Sequence, residues 1–156
     1  MRRFRTGDDP DSFEEFVERA EPALRRALVA RVGPDAATDA VAEALAWAWE
    51  HWDRLAPMAN PVGYLYRVAQ SKARQRRIAY PRELGVAELP EVDPGLWDAL
   101  LALPDRQRAA VWLVHGCGWT YAEVATALGV SVSTTGTHVA RGMARLRETL
   151  EVTPNA

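Results

Sequence analysis

The sequence is poor in the residues that build covalent cross-links, metal clusters and membrane spans. Cys117 is the only cysteine among 156 residues, which excludes an internal disulfide and any cysteine-based zinc cluster. No run approaches the ~20 consecutive apolar residues of a membrane span, so we expect no membrane insertion. The charged N-terminal residues are not followed by the apolar segment of a secretion signal. These absences predict a cytoplasmic protein without a metal or cofactor.

The net charge of −2 conceals blocks of opposite sign. Residues 1–60 carry 8 basic and 12 acidic side chains, whereas residues 61–82 carry 6 basic and no acidic ones. Residues 83–105 reverse the sign with 6 acidic and no basic side chains, and residues 106–156 carry 5 basic and 3 acidic ones. Because phosphate binding depends on local potential, the two basic blocks allow a slightly acidic chain to bind nucleic acid.

A helix-turn-helix pattern lies between Thr120 and Arg147. Thr120 and Glu123 have the spacing of a capping box at the start of a short amphipathic helix. Gly129 stands where a helix end favours a left-handed residue, and Ser131 follows as the cap of a second, longer helix. The outer face of that helix carries small polar and cationic side chains: Thr134, Thr137, His138, Arg141 and Arg145. The combination is typical of duplex-DNA recognition, with an ordinary helical hairpin as the plainer alternative.

The first sixty residues predict two long helices. Ser12 is placed to cap the first, which we expect Pro22 to interrupt or kink and Gly33-Pro34 to end. Asp35 is placed to cap the second, which runs to about Trp52. The outer arc of this second helix combines carboxylates with a large aromatic ring: Asp39, Glu43 and Trp47. Such an arc indicates either a solvated face with one stray tryptophan or a protein docking surface.

A basic helix from Val62 to about Arg77 follows a loop over residues 53–61. Its outer side and edges carry five cations: Arg67, Lys72, Arg74, Arg76 and Arg77. Two tyrosines, Tyr64 and Tyr66, lie at its start. Cations beside aromatic rings suit single-stranded nucleic acid, because unpaired bases stack on aromatic faces. A solvated basic helix with core tyrosines is the alternative interpretation.

Residues 78–94 contain three prolines and four acidic residues and show no sustained periodicity. This composition predicts a linker between two domains, residues 1–77 and residues 95–156. The second domain opens with a short apolar helix that stops at Pro104. A further helix ends at Gly116-Cys117-Gly118, before the helix-turn-helix. The predicted fold is therefore all-α, a three-helix bundle followed by a four-helix domain.

Taken together, the two halves resemble an extracytoplasmic-function sigma factor, a small bacterial initiation factor that retains sigma regions two and four. In the first half the similarity rests on an acidic helix and a basic one: Asp39, Val41, Glu43, Leu45 and Trp49, then Asn60-Pro61 and residues 64–69. In the second half it rests on residues 103–108, 121–125, 128–131 and 141–147. The order of the two halves makes the resemblance specific, because other regulators share the helix-turn-helix alone.

The resemblance implies a role in transcription initiation. The first domain would dock on the clamp helices of RNA polymerase through Asp39, Glu43 and Trp47. It would capture an unpaired base of the −10 element near residues 52–60 and hold the strand through Asn60, Tyr64, Tyr66, Arg67, Lys72, Arg74, Arg76 and Arg77. The second domain would bind the −35 major groove through Thr134, Thr137, His138 and Arg141, with Arg106, Arg108 and Arg145 on phosphates. The implied partners are the polymerase core (clamp helices and flap) and promoter DNA, with an anti-sigma factor as a further candidate.

The predicted recognition helix departs from the family pattern at two positions. Thr135 and Gly136 stand where the family usually has valine and lysine. Gly136 and Gly142 together cost that helix on the order of 1–2 kcal/mol of propensity. The loss of a cation at position 136 predicts weak binding to the −35 element.

Three other functions fit part of the sequence. An enzyme would need a site built on His115 and Cys117, but the ligand spacing of zinc sites is absent, and a core histidine beside an inert thiol is the plainer interpretation. A DNA-binding regulator that acts without polymerase would explain only the second half. A polymerase adaptor that has lost promoter recognition would fit the weakened recognition helix.

Overall fold

The first helix starts at its predicted cap and continues through its proline. In the computed structural model, which describes residues 12–76 and 93–150, the Ser12 hydroxyl accepts from the Glu15 N–H at 3.2 Å. Helix α1 spans Phe13–Val32. The expected interruption at Pro22 is wrong, because Pro22 is exposed inside a continuous helix. A proline removes only one backbone hydrogen bond, and the buried residues on both sides of it hold the helix together.

The second helix begins at a glycine rather than at Asp35. Helix α2 spans Pro34–Glu50, and Gly33, with a φ of 83°, is its N-cap. The fixed φ of a proline suits the first helical position, so Asp35 lies inside the first turn instead of capping it. A short helix α3 (Trp52–Leu55) occupies the start of the expected loop. Helix α4 then spans Pro61–Arg76.

The second half contains four helices and one irregular turn. Asp93 caps α5 (Pro94–Leu101) by accepting from the N–H groups of Gly95 at 2.8 Å and Leu96 at 3.3 Å. Helix α6 (Asp105–Val111) continues into a π-helical turn (Trp112–Gly116), which the sequence did not indicate. The helix-turn-helix follows as α7 (Tyr121–Leu128) and α8 (Val132–Thr149). The all-α prediction is confirmed across the described ranges, which hold no strand.

The helices form two bundles that share one hydrophobic core. Helices α1, α2 and α4 pack together in the first half, and α6, α7 and α8 in the second. Helix α4 also packs against α7, and α1 packs against α6 and the π-helical turn, so the halves lie side by side. The shared core takes residues from both bundles, among them Phe16, Leu28, Leu65, Leu113 and Val124. Within residues 12–76 and 93–150, no helix has the length and apolar character needed to cross a bilayer.

Candidate nucleic-acid interface

The helix-turn-helix has the capping and turn geometry that the sequence predicts. The Thr120 hydroxyl accepts from the Glu123 N–H at 3.2 Å, and the Glu123 carboxylate accepts from the Thr120 N–H at 2.8 Å. Gly129 ends α7 with a φ of 66°, a left-handed conformation that other residues rarely adopt. Ser131 then caps α8 by accepting from the Thr134 N–H at 3.0 Å. These local bonds determine the direction in which α8 leaves the turn.

The outer face of α8 presents most of the predicted −35 contacts to solvent. Thr135, Val139 and Leu146 are buried against the rest of the domain, which turns the opposite face outward. Four predicted DNA contacts are exposed on that side: Thr134, Thr137, Arg141 and Arg145. Arg106, at the start of α6, is exposed as well and lies close enough to affect the ionisation of His138. Cations from two helices therefore converge on one surface.

His138 is half-buried between these cations. Burial, followed by the charges of Arg106 and Arg141, lowers the pKa of His138 below its ordinary value. The ring is therefore neutral at pH 7, with one nitrogen that donates a hydrogen bond and one that accepts. A neutral ring beside two guanidinium groups suits a ligand that brings negative charge of its own.

Arg108 does not lie on this surface, which corrects its predicted role as a phosphate contact. Only 3% of the residue is exposed, and its guanidinium donates to the carbonyl oxygens of Leu101 at 2.9 Å and Leu103 at 3.5 Å. It also pairs with the Asp105 carboxylate. Since a helix leaves its last carbonyl groups without internal partners, Arg108 completes the end of α5 and ties it to α6.

The two glycines of α8 stand in different environments. A Cβ at Gly136 would lie 3.5 Å from Cε2 of Tyr121, which is an ordinary contact distance. At Gly142 it would lie 2.6 Å from Cγ2 of Val111 and 3.3 Å from the carbonyl oxygen of Gln107. Gly142 is thus the point where α8 crosses α6 closely, whereas Gly136 leaves room for a side chain.

The predicted −10 residues at the start of α4 have unequal exposure. The side-chain oxygen of Asn60 accepts from the Gly63 N–H at 2.9 Å, so Asn60 holds the first turn of the helix. Tyr64 is half-buried, with its ring centroid 5.5 Å from that of Trp47. Tyr66 is fully buried, and burial raises the pKa of its hydroxyl above the ordinary value. In this arrangement Tyr66 is a core residue, as the alternative interpretation had it.

The cations of α4 are described only in part. Arg67 is exposed, and its guanidinium atoms lie 3.6 to 3.8 Å from the position that a Cβ at Gly129 would take. Arg67 therefore lies beside the turn of the helix-turn-helix. Lys72 is half-buried further along α4. Three predicted contacts fall outside what the structure describes: the side chains of Arg74 and Arg76, and all of Arg77.

Specific contacts join the two halves next to these residues. The indole Nε1 of Trp112 donates to the carbonyl oxygen of Arg26 at 2.8 Å, and the Arg26 guanidinium donates to the carbonyl oxygen of Gly116 at 3.1 Å. The rings of Tyr66 and Trp119 meet edge to face, 5.8 Å apart at an interplanar angle of 71°. Two helices of the first half, α1 and α4, are thereby attached to the segment that precedes α7.

The predicted docking residues of α2 do not form one exposed patch. Asp39 is exposed and Glu43 is half-buried, but Trp47 stacks on His51 with 4.3 Å between ring centroids. The exposed tryptophan of α2 is Trp49, with 63% of its surface accessible. The signal that could have identified it is the arc it shares, at 100° per residue, with the exposed alanines at positions 42 and 46.

His115 and Cys117, on which an enzyme site would be built, differ in their exposure to solvent. His115 is exposed, so the expectation of a core histidine is wrong, whereas Cys117 is buried as expected. Burial raises the pKa of the Cys117 thiol to about 12, against the opposing effect of Arg26. A thiol with that pKa is a poor nucleophile at neutral pH. Across the described parts of the chain, no three His, Cys, Asp or Glu residues are grouped so that they could hold a metal ion.

Comparison with known proteins connects both halves to transcription. The sequence profile of the family "Sigma-70, region 4" matches residues 95–146. The RNA polymerase sigma-E factor of Streptomyces avermitilis is 33% identical over 153 residues, which covers 89% of this chain and 85% of that protein. The corresponding factor of Streptomyces antibioticus is 32% identical over 152 residues and covers 89% of this chain and 84% of its own length.

Solved structures share the fold across both halves. The sigma factor RpoE from Bartonella quintana, solved in complex with the anti-sigma factor NepR, has a TM-score of 0.73 at 26% identity. That similarity covers 90% of this chain and 97% of the other. CnrH, solved in complex with the cytosolic domain of CnrY, has a TM-score of 0.69 at 24% identity over 89% of this chain and 87% of its own, which is a likeness of fold alone.

Proposed function

Because this chain belongs to the extracytoplasmic-function family of RNA polymerase sigma factors, and so directs the polymerase to specific promoters, we propose that its two halves divide that work. Residues 1–77 dock on the polymerase and capture the unpaired −10 strand. Residues 95–156 bind the −35 duplex, and residues 78–94 connect the two. The protein acts in the cytoplasm and performs no catalytic step of its own, since the chemistry belongs to the polymerase.

The observation that carries the −35 assignment is the surface formed by α8 and the start of α6. A helix that lies in the major groove has phosphates beside it, and three exposed cations lie on this surface: Arg106, Arg141 and Arg145. Thr134, Thr137 and His138 are the polar side chains of this surface nearest to base edges. Because phosphate contacts carry no sequence information, base selection depends on the side chains between the cations.

The −10 assignment requires the two halves to separate on the promoter. The −35 and −10 elements are separate stretches of a promoter, so the two halves bind at different places along the DNA. In the structure α4 packs against α7, with Arg67 beside Gly129. Residues 77–92 number 16 and can span roughly 55 Å at most when fully extended. The described arrangement belongs to the free chain, and opening it uncovers Tyr66 and releases Arg67 for the strand.

Polymerase docking uses the outward side of α2. Asp39 and Glu43 supply negative charge, and the exposed Trp49 replaces the half-buried Trp47 as the aromatic anchor. The clamp helices of the core enzyme are the partner of this side, and the flap is the partner of the second half. An anti-sigma factor is a further partner, because the similar sigma factor of Bartonella quintana was solved with one.

Run-off transcription with purified core polymerase tests the proposal. The chain is expected to co-purify with the core and to start specific transcripts from a subset of genomic fragments. Co-purification without any specific transcript would favour the adaptor that has lost promoter recognition. Specific DNA binding without co-purification would favour the polymerase-independent regulator.

Reversing the charge at Asp39 is expected to weaken binding to core polymerase by at least roughly tenfold, because like charges that face each other across an interface cost several kcal/mol. The Asp39→Arg variant is compared with Glu18→Arg, which makes the same charge change at an exposed position of α1. Affinity is measured by fluorescence anisotropy with labelled chain, and thermal unfolding checks that both variants fold. Equal affinities would show that this side of α2 does not dock.

Lowering the pH from 7.5 to 5.5 is expected to strengthen −35 binding more in the wild type than in His138→Gln. The lowered pKa of His138 keeps the free ring neutral at pH 7.5, whereas nearby phosphates favour the protonated ring, so binding takes up a proton as the pH falls. Anisotropy titrations of a −35 duplex at constant salt measure this, and equal pH dependence would remove His138 from the contact.

A further inference from the structure

The first two turns of the recognition helix lack the side chains that usually identify bases. Residues 131–137 read Ser-Val-Ser-Thr-Thr-Gly-Thr and include no arginine, lysine, asparagine or glutamine. Guanine is commonly selected by a bidentate arginine or lysine, and adenine by a bidentate asparagine or glutamine. The segment that enters deepest into a major groove therefore has no means of making those pairs.

Two large hydrophobic side chains are exposed at the start of the two helices of the helix-turn-helix. Val132, the first residue of α8, is 51% exposed, and Tyr121, the first residue of α7, is 42% exposed. The Tyr121 ring lies 3.5 Å from the position of a Cβ at Gly136, which is one helical turn beyond Val132. Because Gly136 has no side chain, the Tyr121 ring can lie close to α8 at this position. Val132 lies on the same side of α8, so Val132 and Tyr121 border one patch.

Two exposed threonines of the segment form hydrogen bonds within α8. Thr137 Oγ1 donates to the carbonyl oxygen of Ser133 at 3.2 Å. The Ser131 hydroxyl donates to Thr134 Oγ1 at 2.9 Å and accepts from the Thr134 N–H at 3.0 Å. Thr134 Oγ1 keeps its own proton and Thr137 Oγ1 keeps its acceptor lone pairs, and both residues also present methyl groups to a ligand.

The exposed cations of α8 and α6 imply that the ligand of this domain is a phosphate polymer, and one base carries an apolar group in the major groove. That group is the C5-methyl of thymine, which threonine methyls and other apolar side chains contact in protein–DNA complexes. We propose that this chain selects thymines in its −35 element through their methyl groups, with Val132 and Tyr121 as specificity-determining residues beside Thr134 and Thr137. The inference rests on the proposed −35 role of the second half and adds the chemical feature that it recognises.

Replacing thymine by uracil isolates this feature, because it removes the methyl group and leaves every hydrogen-bonding group of the base pair in place. A methyl group transferred from water into an apolar contact is worth roughly a fourfold change in affinity. Two contacted thymines should therefore make the uracil form of the element bind roughly fifteenfold more weakly.

The experiment uses holoenzyme reconstituted from core polymerase and the full chain. Promoter duplexes are selected from a random library, and the tightest is remade with deoxyuridine at every thymine of its −35 element or, as a control, at the thymines of its spacer. Affinity is expected to fall only for the −35 replacement. In Val132→Ser holoenzyme the ratio between the thymine and uracil forms should shrink toward one. Thr149→Ser, which removes a methyl at the far end of α8, should preserve the ratio.

The outcomes separate this inference from the function on which it rests. If no duplex is selected, the −35 role itself fails. If a duplex is selected but its −35 element contains no thymine, or binds equally well with uracil, selection through methyl groups is wrong while promoter recognition stands. An unchanged ratio in both Val132→Ser and a Tyr121→Ser variant would overturn the assignment to these two residues.

Discussion

Replacing Gly142 with alanine is expected to lower the free energy of unfolding by up to about 2 kcal/mol, although this change inside a helix normally raises it. The reason is space, because the new Cβ would stand 2.6 Å from Cγ2 of the buried Val111. The carbonyl oxygen of Gln107, at 3.3 Å, prevents an easy shift of α8 away from the contact. Overpacking costs about 1–3 kcal/mol, which outweighs a propensity gain of about 1 kcal/mol at a site that cannot relax.

Gly136→Ala is the matched control, since it makes the same change in the same helix. There the Cβ meets only the Tyr121 ring at an ordinary distance, so the free energy of unfolding should rise by about 0.5–1 kcal/mol. Urea denaturation followed by circular dichroism measures both variants, with opposite signs expected. A Gly142→Ala variant as stable as Gly136→Ala would contradict the close crossing of α6 and α8.

The thiol of Cys117 is expected to react with an aromatic disulfide reagent about a thousandfold more slowly in the folded chain than in the urea-unfolded chain at pH 8. Only the thiolate reacts, and burial raises the pKa of Cys117 from 9.0 to about 12, which reduces the thiolate fraction by that factor. Because Cys117 is the only cysteine and lies beside Arg26 of the first half, its labelling rate reports how often the two halves separate.

A variant at the contact between the halves should accelerate this labelling. Trp119→Ala removes the ring that packs on Tyr66, at a loss of about 2 kcal/mol for a half-buried tryptophan, which raises the open population roughly 30-fold. Trp49→Ala makes the same change on the exposed side of α2 and should leave the rate unchanged. Thermal unfolding of both variants separates local opening from global unfolding. Rapid labelling of Cys117 in the wild type, or equal labelling rates in the two variants, would show that the two halves are not packed together in the free chain.

The features that the sequence predicts best are those determined by neighbours in the chain. The capping box of Thr120 and Glu123, the left-handed Gly129 and the cap at Ser131 each depend on residues within four positions, and all three are confirmed. The same local chemistry explains the all-α fold. Pro22 shows where a local rule fails, because burial on both sides of it outweighs one missing hydrogen bond.

The features that the sequence does not predict depend on distant parts of the chain. Helical periodicity cannot distinguish an arginine that faces DNA from one that closes the end of a neighbouring helix, so it wrongly predicts Arg108 as a phosphate contact. It also cannot distinguish two tryptophans on neighbouring arcs: Trp47 is covered by His51 and Tyr64, whereas Trp49 remains exposed. Tyr66 is buried, and its ring meets that of Trp119 in the second half, a contact that no pattern in the first half indicates.

The hydrogen bond from the Trp112 indole to the Arg26 carbonyl joins residues 86 positions apart, and it restricts how such factors can be recombined. A chimera that takes its first half from one relative and its second half from another inherits the two sides of this contact separately. Unless Arg26 and Tyr66 on one side match Trp112 and Trp119 on the other, each half exposes an aromatic surface that its new partner does not cover. Exchanging promoter preferences between relatives therefore requires transplanting this contact together with the recognition helix.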